Sequence, residues 1–596
     1  MSDRQTLRAT CASRVQSFTR DESGVVAPLM LVFFFLMLLI GGLAVDLMRF
    51  ETKRVALQQT MDRATLAAAS LENSLAPEDV VRSYMDTSGV DGVLDNVRVV
   101  TAMNARIVEA RASVRSKNYF MSMMETPHLD ANNRSEAEQR ITNVEISLVL
   151  DISGSMDTGS KIANLKSAAS EFIDTVLAND NENKISISIV PYNGQVNIGP
   201  TLFSKFNVVA RHGNTGTRAN SYCLDLPSST FATTELSRTT PLPQTPFVDH
   251  WSSVDRPNSS TDAVKPEPDD DGLYVNMWCQ PNAATYVMVH ENDPAKLKAH
   301  INNLIAVGAT SIDLGMKWGM LFLDPSSRSI TEEMARGGGP VPTYFADRPA
   351  QFRDPETLKI IVLMTDGENF QKEETNDLYR AGPSPIWRST SRGNPWSVFH
   401  ASRVNNGVND DADDLCRSKP YYVPSLNAWH SRPYNGTTPA NSECYQVSTS
   451  TADTSDLATR ARIGANRLNW QDVWAEARSD WVAWQLYGRA LGGTSSSSRT
   501  SHYNTWKANF RSFTQPAEMN TRLNQMCSAA KAQGVWIYGI AFEAPQGGAT
   551  AIRRCATGRE GQSAEEGTYY FDASGLEIRT AFRAIASNLS QLRLTQ

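Results

Sequence analysis

The sequence predicts an α/β fold with a doubly wound parallel sheet and large inserted loops, preceded by a transmembrane helix and a small α+β region. Three observations predict it. The runs at residues 144–150 and 358–364 are predominantly apolar, as in strands that are buried on both faces of a parallel sheet. Helical apolar periodicity lies between such runs. Residues 25–45 form an uncharged apolar stretch that is long enough to cross a bilayer.

The amino-terminal elements predict a membrane anchor. Residues 1–24 form an arginine-bearing tail, residues 25–45 the transmembrane helix, and residues 46–75 a helix rich in alanine and leucine. The apolar run exceeds the usual core of a signal peptide, which is the alternative, and no small-x-small cleavage site follows before Asp46. Because long domains translocate regardless of nearby charges, we assign the short tail to the cytoplasm and the bulk of the chain to the other side.

Residues 76–140 predict a small α+β spacer domain. Apolar and polar residues alternate at 96–103 and 105–114, which indicates a β-hairpin. The polar segment 128–140 is typical of a linker. The main domain is therefore placed at residues 141–596.

The main domain alternates strand and helix patterns, which predicts a parallel sheet covered on both faces. Strand patterns occur at residues 144–150, 184–190, 358–364, 535–542 and 569–571, and helix patterns at residues 161–178, 294–305, 312–323, 517–532 and 575–592. Insertions interrupt this order at about residues 195–285 and 370–515. The second carries a predicted helix at 469–487 with tryptophans on one face, which form either a subdomain core or a surface for a partner.

Oxygen-bearing side chains stand where two predicted strands end. Asp151, Ser153 and Ser155 follow the first strand, and Asp366 follows another in a Thr-Asp-Gly turn. Thr310 precedes a predicted helix between them. Because parallel strands end at one edge of a sheet, we expect these side chains to converge. Hydroxyls with few carboxylates suit a hard cation, Mg²⁺ or Mn²⁺, and leave a coordination position for an outside ligand. By itself, Asp-x-Ser-x-Ser could also be a turn with local hydrogen bonds.

These motifs together resemble the von Willebrand factor A domain and its metal-ion-dependent adhesion site, or MIDAS. The resemblance implies that Ser153, Ser155 and Thr310 bind the cation directly, and that Asp151 and Asp366 act partly through water. The loop before Thr310 departs mildly from the Gly-Gly-Thr that is frequent in the family, because it carries alanine in place of the second glycine.

The amino-terminal segment resembles the anchor of TadE/TadG-like pilus-assembly proteins of bacterial tight-adherence (Flp pilus) systems. The similarity lies in residues 20–24, the apolar run and the alanine-rich helix that follows it. Joined to an A domain, the arrangement is TadG-like. The resemblance implies an inner-membrane protein with a periplasmic or outward-facing bulk, and pilin-like or TadE-like partners, one of which completes the metal coordination through an acidic residue. Leu29 stands where prepilins carry glutamate, so an uncleaved anchor is expected.

The cysteines indicate export. Apart from Cys11 in the tail, the chain has Cys223, Cys279, Cys416, Cys444, Cys527 and Cys555. No CxxC occurs among them. Sequential pairing is the simplest of the possible disulfide patterns, and it places the protein in an oxidising compartment. Six reduced thiols in a cytosolic protein are the alternative.

Composition and motifs exclude several functions. The net charge of −7 gives no basic field for nucleic acid. The sequence contains no HExxH, P-loop, GxSxG or dinucleotide-binding fingerprint, so we expect neither an enzyme nor a small-molecule substrate. Two alternatives remain. The first is a surface adhesin that binds host or matrix ligands directly, and the second is a metal-dependent hydrolase in which Glu368 acts on a metal-bound water.

Overall fold

The structure is a computed structural model of the chain. It describes residues 26–70, 73, 75–101, 105–140, 143–178, 180–252, 274, 276–389, 393–403, 419–434, 465–558 and 569–590. Two compact units make up the chain, Met1–Ile141 and Thr142–Gln596. The arginine-bearing tail and the thiols of Cys11, Cys416 and Cys444 lie outside the described residues.

The first unit combines two helices with an antiparallel sheet of three strands. Its elements are α1 (Val26–Ala69), α2 (Pro77–Thr87), β1 (Gly92–Thr101), β2 (Ala105–Lys117) and β3 (His128–Arg140). The strand order is β1-β2-β3. The second half of α1 packs on the sheet, and Leu57, Met61 and Val108 lie in one core. The helix and the spacer, which the sequence prediction separates at residue 75, therefore form one unit.

The first half of α1 is exposed and apolar. Among the described residues, α1 is the one helix that is long and apolar enough to cross a membrane. Its side chains from Leu29 to Ile40 have no packing partner that would bury them. The predicted transmembrane segment is thus continuous with the helix that packs on the sheet, and the chain carries a single candidate anchor within the described part.

Strand β3 corrects the prediction of a linker at residues 128–140. Its buried side chains include the small residues Ala131, Ser135 and Ala137. The Ser135 hydroxyl lies 2.9 Å from that of Thr65 on α1. Small residues let α1 approach the sheet closely, but they carry little of the apolar alternation by which a strand is recognised in a sequence.

The second unit is built on a sheet of six strands. They are β4 (Asn143–Asp151), β5 (Ile185–Tyr192), β6 (Met288–Glu291), β7 (Thr357–Thr365), β8 (Trp536–Phe542) and β9 (Tyr570–Ala573). The order is β9-β8-β7-β4-β5-β6. Four neighbouring pairs are parallel. The edge strand β6 pairs antiparallel with β5. The sheet is therefore mixed, whereas the sequence predicts a parallel one. This short strand follows the first insertion, which returns the chain to the sheet edge in the opposite direction.

Six helices accompany this sheet. They are α3 (Lys161–Leu177), α4 (Pro294–Asn302), α5 (Ile312–Leu321), α6 (Pro516–Ala532), α7 (Gln546–Cys555) and α8 (Glu577–Ser590). Helix α3 packs on α4 and α8, and α6 packs on α5 and α7. Every residue of β5 and β7 is buried, so both faces of the central sheet are covered. Helix α4 begins as the sequence indicates, because the Asp293 carboxylate accepts hydrogen bonds from the N–H groups of Ala295 and Lys296.

The two insertions carry their own elements. The first contains a short helix and a two-stranded pairing, Gly199–Phe203, Val208–Val209 and Leu242–Pro243. A further helix, Arg328–Ala335, lies between α5 and β7. The second insertion contains the strands Lys372–Thr375, Pro383–Ser389, Trp396–Phe399, Tyr421–Val423, Ala428–His430, Ala465–Asn469 and Arg511–Thr514 and the helices Trp470–Glu476, Ser479–Trp481, Val482–Gly488, Arg489–Gly492 and Ser496–Asn509.

The tryptophan face of the second insertion is a core. Trp470, Trp474, Trp481 and Trp484 are buried together, so the face is not available to a partner. The predicted helix at 469–487 is broken at Ala477, which has extended backbone angles.

Two of the predicted disulfides are formed. Cys223 is bonded to Cys279 in the first insertion, and Cys527 is bonded to Cys555 between α6 and α7. The predicted pair of Cys416 and Cys444 falls outside the described residues.

Candidate metal-binding site

The loops that follow β4 and β7 meet at one edge of the sheet. The two strands are parallel neighbours, so their carboxyl ends lie side by side. The Ser155 hydroxyl donates a hydrogen bond to Asp366 Oδ1 at 2.7 Å, and Ser153 Oγ lies 3.4 Å from the same oxygen. The two serine hydroxyls are 3.0 Å apart. Three oxygens from two distant parts of the chain thus form a compact triangle.

The loop before α5 joins them. The backbone N–H of Gly154 donates to the carbonyl of Gly308 at 2.9 Å, and the N–H of Phe370 donates to the carbonyl of Thr310 at 2.9 Å. A Cβ placed on Gly367 would lie 3.1 Å from the Thr310 hydroxyl. Gly308 has a φ of +84°, a left-handed conformation that favours glycine. The structure therefore brings Thr310 to the same place as the two serines and Asp366.

Asp151 lies beneath the triangle and orders the first loop. It is fully buried, and its Oδ1 accepts a hydrogen bond from the Ser153 N–H at 2.8 Å. Its Oδ2 accepts one from the Thr365 hydroxyl at 2.6 Å. Burial, together with the nearby negative charge of Asp366, raises the pKa of Asp151 to about 7.

A lysine that the sequence patterns did not single out completes the site. Lys161 is the first residue of α3, and its Nζ donates to Asp366 Oδ2 at 3.0 Å. The same ammonium lies 3.9 Å from the Glu543 carboxylate. One oxygen of Asp366 is therefore paired with a fixed cation, and the other faces the serine hydroxyls. One feature of the sequence could have pointed to Lys161 as a site residue. It stands at the start of a predicted helix, ten residues after Asp151.

The donor set fits a small, hard cation. Neighbouring oxygens around octahedral Mg²⁺ are roughly 3 Å apart, since each lies about 2.1 Å from the ion. The separations of 2.7, 3.0 and 3.4 Å between Ser153 Oγ, Ser155 Oγ and Asp366 Oδ1 are of this size. The described part of the chain has no cluster of three or more His, Cys, Asp or Glu side chains suited to a metal. The candidate site thus depends on hydroxyls.

A cleft of about 500 Å³ opens over these loops. Ser153, Ser155 and Thr310 line one part of it. Another part is aromatic, because Trp251 from the first insertion and Phe370 from the segment after β7 pack edge to face, with ring centroids 5.2 Å apart. Their side chains remain 53% and 40% exposed, respectively. The insertions therefore shape the access to the site, which strand patterns alone could not show.

Glu368, the residue of the hydrolase alternative, also lines the cleft. Its carboxylate lies against the first turn of α7, where a Cβ placed on Gly547 would come within 2.2 Å of Glu368 Oε2. The Glu368 side chain thus occupies the space that a larger residue at position 547 would need. This contact gives the glutamate a packing role that is independent of any reaction.

Comparisons with known proteins found one matching family model and several similar solved structures. Residues 24–71 match a family model of Flp pilus-assembly TadE/G-like proteins. No curated protein matches the chain. The similar solved structures include the vWF domain of the type V pili tip protein Mfa5 from Porphyromonas gingivalis, with 13% identity, coverage of 76% of this chain and 96% of that chain, and a TM-score of 0.28.

Two further solved structures are similar at the same low level. The pilus adhesin SpaC from Lactobacillus rhamnosus GG has 8% identity, coverage of 85% of this chain and 34% of that chain, and a TM-score of 0.26. The von Willebrand factor type A protein from Catenulispora acidiphila has 13% identity, coverage of 47% and 34%, and a TM-score of 0.16. Scores this low establish no shared function. The chain joins a TadE/G-like amino-terminal segment to a unit with the motifs of an A domain, which is the TadG-like arrangement.

Proposed function

We propose that this protein is a membrane-anchored, metal-dependent protein-binding component of a bacterial tight-adherence (Flp) pilus assembly or secretion system. The observation that carries the proposal is the meeting of Ser153, Ser155 and Asp366 beneath an open cleft. The TadE/G-like segment at residues 24–71 supports the pilus system, and α1 supports the anchor. The proposed action is recognition and not turnover.

The proposed cation is Mg²⁺ or Mn²⁺. Ser153, Ser155 and Thr310 would hold it directly, and Asp151 and Asp366 would act partly through water. When bound, the cation supplies an electrophilic coordination position for an oxygen from outside the chain. The donor set carries little negative charge, because the hydroxyls are neutral and Lys161 offsets part of the charge of Asp366. An anionic ligand is therefore favoured at the open position.

The proposed ligand is an acidic side chain of a pilin-like or TadE-like protein. The cleft combines a polar part, where a carboxylate would bind, with the exposed rings of Trp251 and Phe370. Exposed aromatic residues beside a polar anchor point are typical of protein interfaces. A partner segment with an acidic residue next to an apolar one suits both parts of this surface.

The proposed location is the inner membrane, with one span and the bulk of the chain in the periplasm. The bonded pairs Cys223–Cys279 and Cys527–Cys555 support this orientation, because disulfides persist in oxidising compartments. Digestion by protease added to intact cells would instead place the protein at the surface, as the adhesin alternative requires. Protection in intact cells, with digestion after the outer membrane is opened, supports the periplasmic location.

Partner capture tests the function. Full-length protein, solubilised from membranes that carry the pilus system, is expected to retain acidic partner proteins in Mg²⁺ and to release them in EDTA. Asp151→Ala is expected to abolish capture because the first loop loses its order. Asp174→Ala is the matched control, since this exposed carboxylate pairs with Lys298 on α4. Equal capture with and without EDTA and by all variants would contradict the metal-dependent mechanism.

A further inference from the structure

The loop between β2 and β3 has an apolar tip. Residues 119–124, named here the hairpin tip, have the sequence Tyr-Phe-Met-Ser-Met-Met. The side chains of Met123, Met124 and Tyr119 are 83%, 56% and 55% exposed. Single exposed apolar residues are ordinary, but a contiguous group at the end of a hairpin marks a surface that binds something.

Several contacts fix the hairpin tip to α1. The ring of Phe120 packs on Gly42, where an added Cβ would lie 2.3 Å from the ring. The Asp46 carboxylate accepts hydrogen bonds from the N–H groups of Tyr119, Phe120 and Met121, at 3.0, 2.7 and 2.8 Å. These contacts hold the tip beside two successive turns of the helix.

This position coincides with the end of the apolar run. At about 1.5 Å per residue, residues 26–45 of α1 extend about 30 Å, which is the thickness of the hydrocarbon core of a bilayer. Gly42 lies within the run, about 5 Å before its end. Phe120 therefore lies at the depth where amphipathic elements contact the boundary of headgroups and acyl chains. The Arg49 guanidinium lies 4.5 Å from the centre of the Tyr119 ring, and such residues are enriched at this boundary.

The backbone hydrogen bonds of the tip suit a medium with little water. A backbone N–H group without a hydrogen-bond acceptor is costly in a membrane, and the N–H groups described here have acceptors within the protein. Besides the three donors to Asp46, the N–H of Met123 donates to the Phe120 carbonyl at 3.1 Å. At the base of the loop, the Asn118 N–H donates to the Pro127 carbonyl at 2.9 Å. Asp46 itself is buried, so Ser122 is the one polar side chain among the apolar ones on the outer surface of residues 119–124.

We propose that the hairpin tip inserts into the boundary of the bilayer beside α1 and forms a second membrane contact. Its ligand is lipid and not a protein, because the surface is continuous with the membrane-spanning half of the same helix. Attachment at two points restrains the first unit from rotating about α1. The inference rests on the membrane span of α1 and is independent of the metal-binding proposal.

Labelling by lipid-borne probes tests this inference. Full-length protein in nanodiscs, made of phosphatidylcholine with a diazirine on one acyl chain, is photolysed, and the adducts are located by peptide mass spectrometry. We expect adducts on α1 and on the hairpin tip, the latter on the order of tenfold above the peptide that contains Val93, because the probe is confined to the hydrocarbon. Val93 is the matched control, since its side chain is 66% exposed but lies far from the apolar run. The preceding residue, Gly92, approaches Leu57, which lies about 18 Å along α1 beyond the end of that run.

Variants test whether the apolar side chains of the tip make the lipid contact. Met123→Asp with Met124→Asp is expected to lower the labelling of the tip to the level of the Val93 peptide and to leave α1 labelled, without loss of fold because both side chains are exposed. Val93→Asp is expected to change nothing. Labelled α1 with an unlabelled tip in the wild-type protein would overturn the inference alone. Absence of label from both would overturn the membrane span as well.

Discussion

The hydroxyl of Ser155 donates a hydrogen bond to Asp366 Oδ1 over 2.7 Å, although 211 residues separate the two in the chain. This contact connects the ends of β4 and β7, and it exists because the two strands are parallel neighbours. The consequences of this arrangement can be tested by changing residues around it one at a time.

Replacing Lys161 by methionine is expected to strengthen Mn²⁺ binding about tenfold, because it removes a positive charge next to a proposed ligand. The ammonium now lies 3.0 Å from Asp366 Oδ2. Isothermal titration of the full-length protein measures the change. Lys298→Met is the control, since that lysine pairs with Asp174 away from the cleft. Unchanged or weaker binding in Lys161→Met would show that the lysine does not compete with the cation.

In the absence of metal, the contribution of Asp151 to the stability of the second unit is expected to fall as the pH rises. Folding raises the pKa of Asp151 from 3.8 to about 7, so between these values the folded state holds a proton that the unfolded state has released. The part of the free energy of unfolding that depends on Asp151 therefore falls as the pH rises through this window, by up to about 4 kcal/mol.

Thermal unfolding of the wild type and of Asp151→Asn in EDTA, at pH 5 and at pH 8, isolates this contribution. The comparison is needed because burial lowers the pKa values of His212, His250, His290 and His400, and these histidines make both proteins more stable as the pH rises toward about 6.5. All 12 tryptophans follow residue 250, so their fluorescence reports on the second unit. Asp151→Asn is expected to gain stability relative to the wild type between pH 5 and pH 8. An unchanged difference between the two proteins would contradict the assignment.

Truncating the aromatic wall of the cleft is expected to weaken partner binding and not metal binding. Trp251→Ala and Phe370→Ala remove side chains that pack on each other and are about half exposed, so the fold should tolerate both. Each is expected to reduce partner affinity on the order of tenfold or more, as buried aromatic anchors do in interfaces. Leu378→Ala is the control, because this side chain is 76% exposed and does not line the cleft. Equal partner binding by all three variants would show that the interface lies elsewhere.

Opening the disulfide of the first insertion is expected to destabilise the second unit. Cys223 and Cys279 are 56 residues apart, and closing a loop of this length contributes about 4 kcal/mol in the chain-entropy model. Cys223→Ser with Cys279→Ser should therefore lower the melting temperature seen by tryptophan fluorescence. Dithiothreitol should shift the wild type in the same direction and leave the pair variant less affected. An unchanged melting temperature in the pair variant would show that the insertion is held by its other contacts.

The site could be predicted from sequence because its residues follow strand ends. Asp151 and Asp366 each follow the end of a predominantly apolar run, and strand-end residues of parallel strands meet by topology alone. Lys161 and the wall formed by Trp251 and Phe370 could not be predicted in this way. Their positions depend on how the start of a helix packs beside a strand end and on the path of an insertion, which local patterns do not encode.

The fold, like the site, could be predicted from the sequence only in part. Strands with large apolar side chains, such as β7, lie close to their predicted limits. The sequence of β3 indicates a linker because its inward residues are small, and the serine-rich start of the helix Ser496–Asn509 indicates a flexible segment, yet both form regular structure. In that helix, Ser495 caps the first turn by accepting a hydrogen bond from the Ser498 N–H, so residues that favour loops also begin a helix.

Titration of the full-length protein with Mn²⁺ is the most direct test of the proposed cation site. We predict binding of one ion per chain in the wild type and a loss of affinity of at least about a hundredfold in Ser153→Ala with Ser155→Ala. Ser204→Ala, which removes an exposed hydroxyl that donates to the Thr201 carbonyl, should bind as the wild type does. Equal affinity in all three proteins would contradict the claim that these hydroxyls hold a cation.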